Sequence, residues 1–138
     1  MPEKYYLDSC IWRDYFENRE DRFRPLGDWA FSLIKSIIQD NNVIIYSDLV
    51  EEELNEEFSE EKVKNIISIV PKENILKVNS SAEQLKEAIK FSKQLKIPVN
   101  DALHAILARD NNATLVSRDK HFYELQKQVR IKKPEDLI

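Results

Sequence analysis

The chain predicts an α/β domain in three layers, with helices packed on both faces of a mainly parallel sheet. Three observations lead there. Short apolar or β-branched runs recur at Lys4–Asp8, Val43–Tyr46, Ile75–Val78, Thr114–Ser117 and Val129–Ile131. Between them, apolar residues fall three and four apart, the period of a helix with one buried face. Strands alternating with helices of about 10–15 residues imply βαβ units and a parallel sheet.

The length of 138 residues suits one domain, residues 1–138, with a core that needs neither disulfide nor metal for stability. Apolar residues at 42% and charged residues at 33% describe a globular chain. A single cysteine, Cys10, excludes an internal disulfide and fits a reducing cytoplasm. No run approaches the ~18 apolar residues of a membrane span, and no cleavable signal pattern opens the chain. With one glycine in the whole sequence, glycine-rich phosphate loops and dinucleotide fingerprints are excluded, and loops should be short and stiff. The net charge of −4 argues against a general basic nucleic-acid binder. It leaves a nuclease open, because cations bound in an acidic site invert the local sign.

The elements follow in order. Lys4-Tyr-Tyr-Leu-Asp8 reads as a strand ending in an acid, after which Ile11, Trp12, Tyr15 and Phe16 share one helical face. Residues 18–24 are charged and read as a loop. Pro25 opens a helix to about Gln39, with Trp29, Leu33, Ile37 and the flanking Ala30, Ile34 and Ile38 forming its apolar stripe. Val43–Tyr46 is apolar throughout, which suits a strand covered on both faces. Ser47 or Asp48 then caps a helix carrying Leu49, Val50, Leu54 and Phe58. Along that helix most acids must be solvated. Glu53 falls at the border of the buried stripe, four after Leu49 and three after Val50. A helix from about Glu60 to Val70 is stopped by Pro71, and Ile75–Val78 reads as an edge strand. Ser80 or Ser81 caps a helix over Ala82–Leu95, with Leu85, Ala88, Ile89, Ser92 and Leu95 facing inward.

Pro98 begins a helix in which almost every position from Ala102 to Ala108 is small or aliphatic, with Asp101 at its mouth. Asn100 or Asp101 is placed to cap it. Asn111-Asn112 ends it, Thr114–Ser117 is a further strand, and a short helical piece holds Phe122, Tyr123 and Leu125. Val129–Ile131 is the last, edge strand.

In such folds ligands bind beyond the carboxyl ends of the strands, where the strand order reverses. Asp8 and Asp119 each follow a strand, Glu53 lies in the first turns after another, and Asp101 opens the helix that feeds the Asp119 strand. Each acid also has a plain structural role open to it: a turn for Asp8, a solvated charge for Glu53, a cap for Asp101 and Asp119. At least three of the four project from the same edge of the sheet, where clustered carboxylates would repel and raise one another's pKa values unless divalent cations held them together. Oxygen donors without a His or Cys motif point to Mg²⁺ or Mn²⁺.

Taken together, Tyr6-Leu-Asp-Ser9, Ser47 with Glu53-Leu54, Asp101-Ala-Leu-His-Ala105 and Leu115-Val-Ser-Arg-Asp119 with Phe122 resemble the PIN-domain nucleases, including VapC-type toxins. These motifs stand in the family's order along essentially the whole chain. The resemblance implies a single-domain α/β/α sandwich with a central, mainly parallel five-stranded sheet. It also implies Mg²⁺- or Mn²⁺-dependent cleavage of RNA with one or two ions, a homodimer, and an antitoxin protein as partner. It carries Asp8, Glu53, Asp101 and Asp119 over as the catalytic, metal-holding acids, with Ser9 and Ser117 as supporting hydroxyls. Two departures stand out. Cys10 replaces an asparagine common in the family, which removes a polar contact beside the site. The run Glu51-Glu52-Glu53 leaves the second acid open, and Glu53 fits spacing and helix face best.

Metal-assisted hydrolysis of a phosphodiester is the chemistry this set suits. Acidic RNA must be steered by cations around the pocket, and Arg13, Arg118 and Lys120 flank the motifs. His104, in an Ala/Leu-rich helix, is expected as a hydrogen-bonded core residue rather than a ligand, and Cys10 as a buried thiol. Trp12 and Trp29 read as core or interface anchors. Two other classes stay open: a non-catalytic module of the same fold that binds metal or protein, and a phosphoryl-receiving signalling domain. The second needs an acceptor Asp at the end of a mid-sheet strand, where this chain has Tyr46-Ser47.

Overall fold

A computed structural model of the chain describes residues 1–20 and 22–138; of the loop expected over residues 18–24, position 21 lies outside them. Strands β1 (Lys4–Leu7), β2 (Val43–Ser47), β3 (Ile75–Val78), β4 (Thr114–Val116) and β5 (Ile131–Lys132) form one sheet in the order β3-β2-β1-β4-β5. Every pairing is parallel, with Tyr6 of β1 opposite Ile45 on one side and Leu115 on the other. The α-helices among the described residues are α1 (Ser9–Glu17), α2 (Leu26–Gln39), α3 (Asp48–Asn55), α4 (Glu60–Ile67), α5 (Ala82–Leu95) and α6 (Val99–Asp110).

The chain steps outward from β1 to β2 to β3, then returns past β1 to lay down β4 and β5. Right-handed crossovers in opposite directions put α1 and α2 on one face and α5 and α6 on the other. The order therefore reverses between β1 and β4, and a crevice opens at their carboxyl ends. Tyr6 and Leu7, Ile44 and Ile45, and Leu115 and Val116 are buried as consecutive pairs, because both faces of the central strands are covered. Ile11 and Trp12 fill the α1 face of the core, and α6 is buried continuously from Ala102 to Ala108. Burial of each large aliphatic side chain stabilises by about 1.5–3 kcal/mol, so α6 is strongly held.

Local chemistry sets the boundaries. Ser47 is the cap of α3, accepting from the Val50 amide at 3.2 Å. Ser81 caps α5 in a reciprocal pair with Gln84, while Ser80 turns to donate to Asp48 from both its amide and its hydroxyl. The one glycine, Gly27, sits where α2 starts against the end of α1; a Cβ there would lie 2.5 Å from the Asn18 Cα. Helix α4 stops at Ile67, short of Val70, because the Val70 amide closes a tight turn on the Ile67 carbonyl. Strand β5 begins at Ile131, two residues later than expected, since the Val129 amide is still bonded to Leu125 in the preceding turn. One inward face is corrected outright. Leu85 and Ile89 of α5 are exposed and only Ala88 is buried, because α5 leans on α6 instead of on the sheet.

Candidate metal centre

Asp8 leaves β1 as the N-cap of α1 and is 5% exposed. Its Oδ1 accepts from the Cys10 amide at 3.1 Å and from the Cys10 thiol at 2.8 Å, while its Oδ2 accepts from the Ser117 hydroxyl at 2.5 Å. The polar contact expected to be missing at Cys10 is thus supplied by sulfur. Burial pushes the Asp8 carboxyl above its ordinary range, opposed by nearby His104 and by these donors. The Ser117 oxygen also accepts the Asp119 amide at 3.0 Å, so one hydroxyl ties the ends of β1 and β4 together.

Glu53 projects from α3, half-buried, and its Oε1 accepts from the Ser9 hydroxyl at 2.9 Å and from His104 Nε2 at 2.6 Å. Burial alone would raise its carboxyl, but the His104 and Ser9 contacts outweigh it and hold the group below the usual range. Arg13 donates to the Glu53 backbone carbonyl at 2.7 Å, fixing the helix at this point. Its neighbours are otherwise engaged: Glu51 pairs with Lys77, and Glu52 is exposed.

Asp101 lies in the first turn of α6, yet it does not cap the helix. Pro98 occupies the N-cap with no side-chain bond, which corrects the capping expectation for Asn100 and Asp101. Instead Asp101 Oδ2 and Asp119 Oδ1 each lie 3.0 Å from Nδ1 of His121. One potential ligand atom from each of these three residues falls within 4.8 Å of the others. Burial, and then the charge of Asp119, push the Asp101 carboxyl up. Asp119 is exposed and caps the 3₁₀ turn Lys120–Leu125, accepting the His121 amide at 2.9 Å.

Of the four acids, Asp101 and Asp119 are brought together, across His121. Asp8 is tied to the Asp119 amide through Ser117, and Glu53 bonds to none of the three, contacting instead Ser9, next to Asp8, and His104, one turn after Asp101 on α6. The three flanking cations divide. Lys120 is exposed beside Asp119. Arg13 is half-buried and also lies 3.6 Å from Glu57. Arg118 turns inward to Asp14 and Glu135 and lies over the Trp29 ring, so its charge is committed within the fold. A cavity of about 220 Å³ beside Asp119 adds Lys132 and Lys133 to the basic groups near the site. A larger cavity, about 540 Å³, lies at the opposite end of the strands, against Lys4 and Thr114.

Sequence reasoning missed His121, whose signal was only its place two residues after Asp119. His104 is the hydrogen-bonded core residue expected, but its Glu53 contact was not foreseen. Trp12 is core, while Trp29 is half-buried under Arg118. The donor set fits a divalent cation. It is mostly hard carboxylate oxygen, and two of its acids are disfavoured as anions by burial.

The chain has the fold of several solved structures. VapBC2 from Rickettsia felis, bound to a DNA fragment from its promoter, is 19% identical with a TM-score of 0.67, over 94% of this chain and 98% of that one. VapBC-1 from nontypeable Haemophilus influenzae is 18% identical with a TM-score of 0.67, over 96% and 98%. A toxin–antitoxin complex from Klebsiella pneumoniae is 17% identical with a TM-score of 0.63, over 94% and 97%. No curated protein sequence gives a significant match. The family model described as the PIN domain matches residues 5–128. With nine-tenths of its length inside that match, the chain belongs to the PIN domain family, whose members are generally nucleases.

Proposed function

We propose that the protein is a Mg²⁺- or Mn²⁺-dependent ribonuclease that cleaves RNA internally, and that it serves as the toxin of a toxin–antitoxin pair. The observation that carries this reading is the convergence of Asp101, Asp119 and His121 at the strand-order reversal, with buried Asp8 linked to them through Ser117. Asp8, Glu53, Asp101 and Asp119 would hold one or two ions. A bound divalent cation lowers the pKa of water and neutralises charge on the phosphodiester and leaving oxygen. The protein's own part is positional. Ser117 and Cys10 fix the Asp8 carboxylate, and Ser9 and His104 fix that of Glu53. Lys120, Lys132 and Lys133 offer the positive rim that an acidic substrate needs.

Partner and assembly belong to the same reading. The Klebsiella pneumoniae structure is a toxin–antitoxin complex, and this chain carries an apolar strip on α1 and α2 suited to a protein partner. Phe16 and Phe31 are exposed there, and Tyr15 stacks on Phe31 at 5.9 Å. The exposed Leu85 and Ile89 of α5 would serve a homodimer. No helix among the described residues is long and apolar enough to cross a membrane, in keeping with a cytoplasmic site of action.

Among the alternatives, the phosphoryl-receiving domain is disfavoured because the mid-sheet strand β2 ends at Ser47, buried and bonded to Tyr6. A non-catalytic module of the same fold is the competing reading. Purified protein should degrade RNA with Mn²⁺, and lose that activity with EDTA or in Asp8→Asn. Full activity in Asp101→Asn would overturn the assignment of the site. A small antitoxin-like neighbouring reading frame would favour the toxin role over RNA processing.

A further inference from the structure

A chain of buried hydrogen bonds runs behind Glu53, and the proposed function above uses only its last link. The Ser47 hydroxyl lies 2.6 Å from the Tyr6 hydroxyl, which lies 2.7 Å from His104 Nδ1; His104 Nε2 lies 2.6 Å from Glu53 Oε1. Ser47 and Tyr6 are fully buried, and His104 is 2% exposed. The three side chains come from β2, β1 and α6, and the Tyr6 and His104 rings pack edge to face at 5.6 Å.

Donor and acceptor counting gives the chain a direction. An ionised Glu53 can only accept, so Nε2 of His104 carries the hydrogen. With a neutral ring, Nδ1 is then an acceptor, the Tyr6 hydroxyl donates to it, and Ser47 donates to Tyr6. The Ser47 oxygen in turn accepts the Val50 amide at 3.2 Å, so no polar atom along the line is left unpaired. Burial pushes the Tyr6 phenol far above its ordinary range, which keeps it a donor.

We propose that Ser47, Tyr6 and His104 are positioning residues that present Glu53 to the cation in one fixed orientation through this relay. The proposal rests on the reading of Glu53 as one of the metal-holding acids. Hydrogen-bonded supports behind metal ligands matter: their loss typically costs about 10–100-fold in metal affinity or activity.

Two measurements test it, neither relying on cleavage. In the metal-free wild-type protein, long-range imidazole ¹⁵N spectra should show His104 as the Nε2–H tautomer, with Nδ1 shifted by an accepted hydrogen bond; the opposite tautomer overturns the relay. Mn²⁺ affinity is then read from the EPR signal of the free ion. His104→Gln keeps an amide donor near the Nε2 position but cannot accept from Tyr6, so it should bind about tenfold more weakly than wild type, as Tyr6→Phe should. His104→Asn loses the Glu53 contact as well and should bind about 100-fold more weakly. Equal affinities for the two folded variants would overturn the proposal. Should either misfold, Tyr6→Phe decides: it should weaken Mn²⁺ by about tenfold, and an unchanged affinity counts against the relay. Glu53→Gln separates the two readings. If it leaves Mn²⁺ binding intact, the assignment of Glu53 fails. If it weakens binding while His104→Asn does not, the relay alone fails.

Discussion

Asp8 and Glu53 are each held by two or more donors from buried or half-buried residues, whereas Asp101 and Asp119 share one half-exposed imidazole. Asp8 takes three donors from Cys10 and Ser117, and Glu53 takes Ser9 and His104. The His121 side chain that joins Asp101 and Asp119 is 43% exposed. The contrast shows how firmly the fold itself sets each acid. The Asp8 and Glu53 carboxylates are fixed by folding; in the proposed metal site, a cation would displace or join His121 between Asp101 and Asp119.

Substitutions can break that contrast, beginning with the largest effect. Asp8→Asn should lower RNA cleavage by more than about 100-fold, beyond the usual cost of losing a ligand's support, in a gel assay with Mn²⁺. Ser117→Ala should cost about 10–100-fold in the same assay, because it strips a donor from Asp8 and an acceptor from the Asp119 amide. It should also lose about 1–3 kcal/mol of stability, measured by urea unfolding. His121→Gln, between Asp101 and Asp119, should weaken Mn²⁺ by no more than about tenfold by calorimetry, with Tm unchanged. A larger loss there than in Ser117→Ala would reverse the ranking of the two pairs.

Acidity gives a further handle. The Asp101 carboxyl is raised in the folded state by burial and by Asp119, so the stability it contributes is full below its unfolded value of 3.8 and is lost as pH rises through the folded value. In EDTA, Asp101→Asn should therefore raise Tm at pH 7, measured by thermal unfolding. The gain should vanish near pH 3.5. Glu53 runs the other way: its lowered carboxyl contributes stability at neutral pH that is lost as pH falls through the folded value.

Much of this was legible because parallel sheets write themselves plainly. Tyr6-Leu7, Ile44-Ile45 and Leu115-Val116 are paired apolar residues because they are covered on both faces. The acids following β1 and β4 could be placed from strand ends alone. What escaped were features decided by packing across the fold. Leu85 and Ile89 have inward spacing, but whether α5 meets the sheet or only α6 is a tertiary matter. Asp101 has the sequence neighbourhood of a cap, yet Pro98 takes that position and frees the carboxyl. His104 could be recognised as a buried, bonded residue; that its partners would be Tyr6 and Glu53 depended on β1, α3 and α6 meeting.

The scarcity of glycine has a cost elsewhere in the fold. Helix α5 ends at Lys96 with φ 55, and Asn18, Asn41 and Asn112 also take the left-handed conformation. Asparagine tolerates it, but lysine gains nothing there that glycine would not. Lys96→Gly should stabilise the protein by about 1 kcal/mol in urea unfolding, with cleavage and Mn²⁺ binding untouched. The domain thus keeps a reserve of stability in the turn between α5 and α6, one that an engineer could draw on to tolerate costly changes among the acids themselves.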